Sequence, residues 1–232
     1  MWVRVPPSAL EGQVNSAVVR TVVVRCDLRI PMVLVDLTID TAYIGVMHPD
    51  LVLDRNTWII SDTHFGHTNI IKYCGRPYNH DELMLRAWDR LVQPNDYVLH
   101  LGDVTMWHRT HKTWAARVKR LPGRKFLIRG NHDEQWTDQQ WYTRAGFLVT
   151  DPFVWNRIYF SHTPSIPSGM WDVNIHGHAH NHKPYRKYEM MLGTYYNVSI
   201  EGMEYKPVEL GTILDELGLD NTPQNMIESG IA

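Results

Sequence analysis

Short apolar runs recur along this chain and stop abruptly at clusters of polar residues. Tyr97-Val-Leu-His-Leu101, Phe126-Leu-Ile-Arg129, Arg157-Ile-Tyr-Phe-Ser161 and Val173-Asn-Ile-His176 are the clearest, and another precedes Asp62. Runs of this length, bounded by turn residues, read as strands. Between them the apolar period becomes helical. Asn79-His-Asp-Glu82 opens one helix, with Asn79 as cap, Glu82 reaching back in a capping box, and Leu83, Ala87, Trp88 and Leu91 as the buried stripe. Pro94-Asn95-Asp96 stops it. Residues 110–121 predict a second helix with Trp114, Val118 and Leu121 inward, and residues 137–145 a third. His67 stands where a further helix begins with Asn69, Ile70 and Ile71. Residues 18–24 and 32–39 have the β-branched content of one or two extra strands, and the acidic end, with Asp215, Glu216, Asp220 and Glu228, reads as a short helix and a frayed tail.

The pattern divides the chain into an N-terminal extension over 1–55, a main domain over 56–220 and a flexible tail over 221–232. A chain of 232 residues can bury roughly 70–75% of its unfolded surface, enough for a substantial core. With 44% apolar and 21% charged residues and a net charge of −2, composition carries no signature of polyanion binding. The two cysteines, Cys26 and Cys74, lie far apart, which fits a reducing, cytoplasmic setting and no disulfide framework. Arg20, Arg25, Asp27 and Arg29 interrupt the valine-rich start, so no membrane span and no secretory signal is expected. Residues 2–9 suggest something else. Val3-Arg4-Val5 is what GTT-CGA-GTC, a transfer-RNA T-arm sequence, would encode, so the opening reads as an upstream extension with Met32 or Met47 as the start, against an ordinary flexible N-terminus.

Each apolar run of the main domain delivers a metal-ligand motif. In chain order these are Asp62-x-His64, Gly102-Asp103, Gly130-Asn131-His132-Asp133, Ser161-His162 and Gly177-His178-x-His180. A pair of divalent ions about 3.5–4 Å apart takes carboxylate, imidazole and amide oxygen, and needs one carboxylate able to bridge. Asp62 and His64, two residues apart, would point to the same side of a straight strand; Asp103 is the choice for the bridge; Asn131 adds a neutral oxygen that keeps the site receptive to an anion. The strand ends would collect these ligands at one sheet edge, where open α/β sheets bind ligands. About thirty residues separate His132 from His162, too few for a cap domain, so the site should be open.

Five such motifs in this order resemble the calcineurin-like metallophosphoesterase superfamily, over about residues 57–210. The resemblance implies an α/β fold of two facing mixed β-sheets flanked by helices, a four-layer sandwich. It assigns Asp62, His64, Asp103 and His180 to one metal, and Asp103, Asn131, His162 and His178 to the other. His132 would act beside the phosphate as acid or electrostatic stabiliser, oriented by Asp133. The implied reaction is hydrolysis of a phosphodiester or nucleotide by a metal-bridging hydroxide, with a broad phosphomonoesterase as the alternative and a non-catalytic scaffold as a further one. Manganese is the first choice of metal; iron, zinc and nickel also fit N/O sites. Val104-Thr-Met-Trp107 and Asp133 depart from the Ser/Thr protein phosphatases, and His132 departs from relatives with Cys or Arg there. Gly-Asn-His-Asp is the form shared by cyclic-nucleotide phosphodiesterases and repair nucleases. The run from Ser61 to Ile71 and the ending Asn197 to Val208 resemble compact phosphoesterases of bacteria and phages.

Other residues have less to connect them. His100 and His176, inside apolar runs, read as structural; His182 reads as a solvent-facing neighbour. His67 is a candidate phosphate contact or a plain cap, and Arg76 a phosphate contact or a loop salt bridge. From Arg109 to Arg129 the chain carries Lys112, Arg117, Lys119, Arg120, Arg124 and Lys125 and no acid. That stretch is either a solvated helix face or a surface steering nucleic acid, with Trp107 as a stacking platform.

Overall fold

The computed structural model describes residues 45–105, 111–136, 139–190 and 193–219. The strands expected over 18–24 and 32–39, the tail over 221–232 and Trp107 lie outside them. Chain order runs β1 (Trp58–Ile60), α1 (Ile70–Cys74), α2 (His80–Leu91), β2 (Tyr97–His100), α3 (His111–Arg120) and β3 (Arg124–Ile128). It continues α4 (Asn131–Trp136), α5 (Gln139–Ala145), β4 (Phe147–Thr150), β5 (Phe153–Trp155), β6 (Ile158–Ser161) and β7 (Val173–His176). After a 3-10 turn over His180–His182 come β8 (Arg186–Met190), β9 (Gly193–Asn197), a 3-10 turn over Ile200–Met203, β10 (Val208–Glu209) and α6 (Leu210–Leu217).

The strands form two five-stranded mixed sheets, ordered β10-β1-β2-β3-β4 and β5-β6-β7-β9-β8. In the first, β1 to β4 are parallel and β10 is antiparallel to β1. In the second, β6, β7 and β9 are parallel, with β5 and β8 antiparallel at its edges. Alternation along the strands separates two cores, as a period of two requires. Ile59, Leu99, Phe126 and Ile128 meet Phe160, Ile175, Tyr196 and Val198 between the sheets, joined by Leu210, Ile213 and Leu214 of α6. Ile60, Val98 and Leu127 face outward against Met84 and Trp88 of α2, Trp114 and Val118 of α3, and Trp141 of α5. The expected α/β fold of facing mixed sheets with flanking helices is therefore the observed one.

The helices depart from expectation in detail. Asn79 makes no side-chain cap bond. Glu82 pairs with Arg117 at 2.5 Å instead of reaching back, and Asp81 accepts the Gly66 N–H at 3.2 Å. These two contacts fix the roll of α2, so its buried stripe is Met84, Leu85 and Trp88 followed by Val92, while Leu83 is exposed. Of the helix expected over 137–145, the described part is α5, Gln139–Ala145, and helix is also present earlier, over Asn131–Trp136. On α3, Trp114 and Val118 point inward as expected, as does Leu121 beyond its end.

Candidate metal centre

The ligand-bearing loops start where the strands of both sheets end. Beyond β1 and β2 the chain keeps pairing: Asp62 N–H donates to Gly102 O, His64 N–H to Asp103 O and Phe65 N–H to Val104 O. The backbone there is not that of a straight strand. Asp62, His64, Asp103, His178 and His180 all have φ between 41° and 64°, and they are five of ten non-glycine residues with positive φ among the described residues. Left-handed backbone costs a non-glycine residue about 1–3 kcal/mol. Strain this concentrated on proposed ligands turns each side chain off its strand and toward a common centre. So Asp62 and His64 converge through two left-handed residues, not through a two-residue strand period.

Three glycines make the convergence tight. A Cβ on Gly102 would lie 2.5 Å from His162 Nδ1 and 2.6 Å from the Gly130 nitrogen. One on Gly130 would lie 2.2 Å from Asp103 Oδ1, and one on Gly177 2.0 Å from Ser61 Oγ and 2.3 Å from Asp62 Oδ2. No other residue fits at these approaches.

The side chains gather in two groups. In the first, His180 Nε2 lies 3.7 Å from Asp62 Oδ1, and the His64 and His180 rings stack at 5.3 Å. In the second, Asn131 Oδ1 lies 3.1 Å from His162 Nε2 and 2.9 Å from His178 Nδ1, with 3.2 Å between the two imidazole nitrogens. Asp103 stands between the groups: its Oδ2 is 3.5 Å from His64 Nε2 and 3.4 Å from His162 Nε2. Asp62, His64, Asp103 and His162 are buried; His178 opens to solvent. His132 is half-buried, its N–H on Asp103 Oδ1 at 3.0 Å and its ring edge-on to His64 at 5.3 Å.

Electrostatics sets these histidines apart. Burial holds His64 well below the ordinary imidazole pKa, only partly offset by Asp103. Burial opposes a charge on His162 too, but its hydrogen bond to Asp103 lifts it to about 9. Burial opposes a charge on His180 as well, but Cys74 and Glu201 raise it to about 10. Burial and then His162 lower His178.

Asp133 does not grip His132. Its Oδ2 accepts the N–H groups of Asp103 at 2.6 Å and Gly130 at 2.9 Å, and its Oδ1 that of Val104 at 3.2 Å. It clamps two ligand loops together, although burial and the Asp103 charge push its pKa up to about 7. His100 and His176 are braces, as expected. His100 Nδ1 accepts the Gly102 N–H and its Nε2 meets Thr63 Oγ1, while His176 joins Gly177 O and the Tyr188 hydroxyl. His182 is exposed.

Arg76 is not placed to hold a phosphate. Its guanidinium is fully buried and donates to Asp62 O at 2.7 Å, Thr63 O at 2.8 Å and Glu201 Oε1 at 2.8 Å. Arg76 forms a loop salt bridge, its guanidinium turned inward on Glu201 and two backbone carbonyls. Glu201, absent from the sequence reading, accepts both Arg76 and His180 Nδ1, at 2.9 Å. Burial works against its charge, yet His180 and Arg76 pull its pKa down to about 2. Only its place in the ending that resembles compact phosphoesterases pointed toward it. His67 is buried, 5.6 Å from the His64 ring and 6.2 Å from that of Tyr73.

The residues fit a pair of divalent ions. The donors are carboxylate, imidazole and amide oxygen, the set that borderline and hard cations take. Both ring nitrogens of His64 are buried without a hydrogen-bond partner, an arrangement that a cation satisfies. Two triads, Asp62-His64-His180 and Asp103-His162-His178, bring their ligand atoms within 4.8 Å of one another.

Comparison with known proteins places the chain among the phosphoesterases. A model of calcineurin-like phosphoesterases matches residues 55–209. An uncharacterized protein of Methanocaldococcus jannaschii is 33% identical over 168 residues, spanning 69% of this chain and 90% of that protein. The Gene 66 protein of Mycobacterium phage L5 is 37% identical over 82 residues, or 34% of this chain and 40% of that protein. Among solved structures, a protein of unknown function from Aquifex aeolicus superposes with a TM-score of 0.53 at 25% identity, covering 69% of this chain and 98% of that one.

Proposed function

The chain belongs to the calcineurin-like phosphoesterase family and is a metal-dependent phosphoesterase, and from that premise we propose that it hydrolyses a small phosphodiester or nucleotide at a two-ion centre. One ion would be held by Asp62, His64, Asp103 and His180, the other by Asp103, Asn131, His162 and His178. The observation that carries the reading is Asp103 Oδ2, within 3.5 Å of an imidazole nitrogen from each group. When bound, the ions would supply Lewis acidity at phosphorus and a lowered pKa for water. Manganese is our first choice, with iron, zinc or nickel as alternatives.

The chain's own residues do the rest. Asn131 contributes no charge, so an anionic diester is not repelled by a third carboxylate. His132, beside His64, would protonate or stabilise the leaving oxygen. Asp133 keeps the Asp103 and Gly130 loops in register, a condition for one carboxylate to serve two ions.

A small substrate is favoured over a long polyanion by the state of the basic stretch. Arg117 is paired with Glu82 and lies over the Trp114 ring at 4.5 Å. Lys125 is buried with its Nζ on Leu121 O at 2.6 Å, and Arg124 lies over Tyr97 at 5.6 Å, at the ends of β2 and β3 opposite the ligands. The test is metal analysis with a substrate panel after reconstitution. We expect close to two ions per chain and turnover of an aryl phosphodiester above that of the monoester. A single tight ion would remove the shared carboxylate. Oligonucleotide turnover that falls steeply with salt, and flattens on changing Lys112, Arg117 and Arg120 to Gln, would instead favour nucleic acid.

A further inference from the structure

The most unusual group outside the proposed ligands is the buried pair Arg76–Glu201, which leads to His180. Arg76 is a charged side chain with no exposure, and Glu201 is 6% exposed. Burying such a pair is costly unless further hydrogen bonds satisfy its remaining donors and acceptors. Here every bond leads to the first ligand group. Arg76 holds the carbonyls of Asp62 and Thr63, in the two peptides that run from Asp62 to His64. Glu201 takes His180 Nδ1, leaving Nε2 turned toward Asp62. A carboxylate on the far nitrogen fixes the tautomer and ring plane of a metal-binding histidine and makes it a better donor.

We propose that Glu201, anchored by Arg76, is a positioning residue for one of the two ions: it selects Nε2 of His180 as the metal-facing atom. The proposal rests on the two-ion reading above. Cys74 lies beside His180 and Glu201, and these three could themselves surround a cation. The fixed positive charge of Arg76, 2.7 Å from Glu201 Oε1, opposes a divalent ion there. That charge makes Glu201 a partner of histidine and not a ligand.

Because Glu201 acts on one ligand group only, its loss should split the two ions. Binding of each ion to metal-free protein is followed by calorimetry and, with cobalt, by the visible spectrum. Glu201→Gln should weaken one ion by about 10–100-fold and leave the other as in wild type. In a His180→Ala background the same change should do nothing more, since the ring it positions is gone. Far-ultraviolet dichroism of each metal-free variant confirms that the chain is folded, and Arg76→Lys offers a second, milder route to the same selective loss. Equal effects of Glu201→Gln with and without His180, or equal weakening of both ions, would overturn the positioning role. Wild type binding fewer than two ions would instead overturn the two-ion reading itself.

Discussion

The two ligand groups are built by different means. Asp62, His64 and His180 are all in left-handed backbone and are supported from behind by Arg76 and Glu201. Asn131, His162 and His178 touch one another directly, with polar atoms 2.9–3.2 Å apart, and of the three only His178 carries a positive φ. The first group is held by strain and a buried brace, the second by mutual contact. The first should therefore respond to changes in Arg76 and Glu201 that leave the second unmoved.

The largest effect is expected where the comparison vanishes. Asp103→Asn should weaken both ions together and abolish turnover, since its carboxylate lies between the groups. Retention of either ion at wild-type affinity, measured by metal analysis after dialysis, would assign Asp103 to one group alone.

His132→Ala should separate chemistry from binding. Its side chain belongs to neither group, so both ions should remain while turnover drops about 10²–10⁴-fold. The loss should be greater for an alkoxide leaving group than for a nitrophenolate, which needs no proton. Equal losses on both substrates would move the role of His132 to the phosphoryl oxygens.

A glycine pair sharpens the contrast further. In Gly177→Ala the new methyl would meet Ser61 Oγ and Asp62 Oδ2, both fixed by hydrogen bonds to Leu101 O and from His178 N–H. It should cost about 1–3 kcal/mol of stability and weaken the ion of the first group preferentially. Gly75, at φ 67° with nothing within 4 Å, is the control. Gly75→Ala should cost about 1–2 kcal/mol through its backbone alone and leave both ions untouched; thermal melts and metal titrations of the two variants decide.

The last effect, absent at neutral pH and seen only in acid, concerns a brace common to the framework. Burial lowers the pKa of His100 to about 3 from an ordinary 6.5. Between those values the unfolded chain binds a proton that the folded one refuses, so stability falls as pH drops through the window. The contribution is complete above pH 6.5 and diminishes by about 1.4 kcal/mol per unit below it. In metal-free protein, denaturant titrations of His100→Gln should show a shallower acid limb than wild type. Identical limbs would mean that His100 takes up its proton in the folded state.

The strands and the ligand motifs were legible because each is a local pattern. Phe126-Leu-Ile and Val173-Asn-Ile can be strands wherever they lie, and Gly102-Asp103 or Gly177-His178 carry their chemistry in adjacent residues. The roll of α2 was not legible, since Leu83 and Met84 are equally apolar and only Asp81 on Gly66 and Glu82 on Arg117 choose between them. The helix over Asn131–Trp136 was missed because its residues, Asn-His-Asp-Glu-Gln-Trp, are the ligand motif and its polar continuation and show no apolar period.

By itself, then, the sequence determined which residue types could bind metal and on which strand ends they would sit, because that information is written in short runs. What depended on the tertiary structure was which side chains act through others. Asp133 grips backbone and not His132, Arg76 is turned inward and not toward substrate, and Glu201, 125 residues from Arg76, completes the brace. A buried charge takes its role from whatever donor or acceptor the fold brings within about 3 Å, and that neighbour is set by packing across both sheets, not by any spacing along the chain.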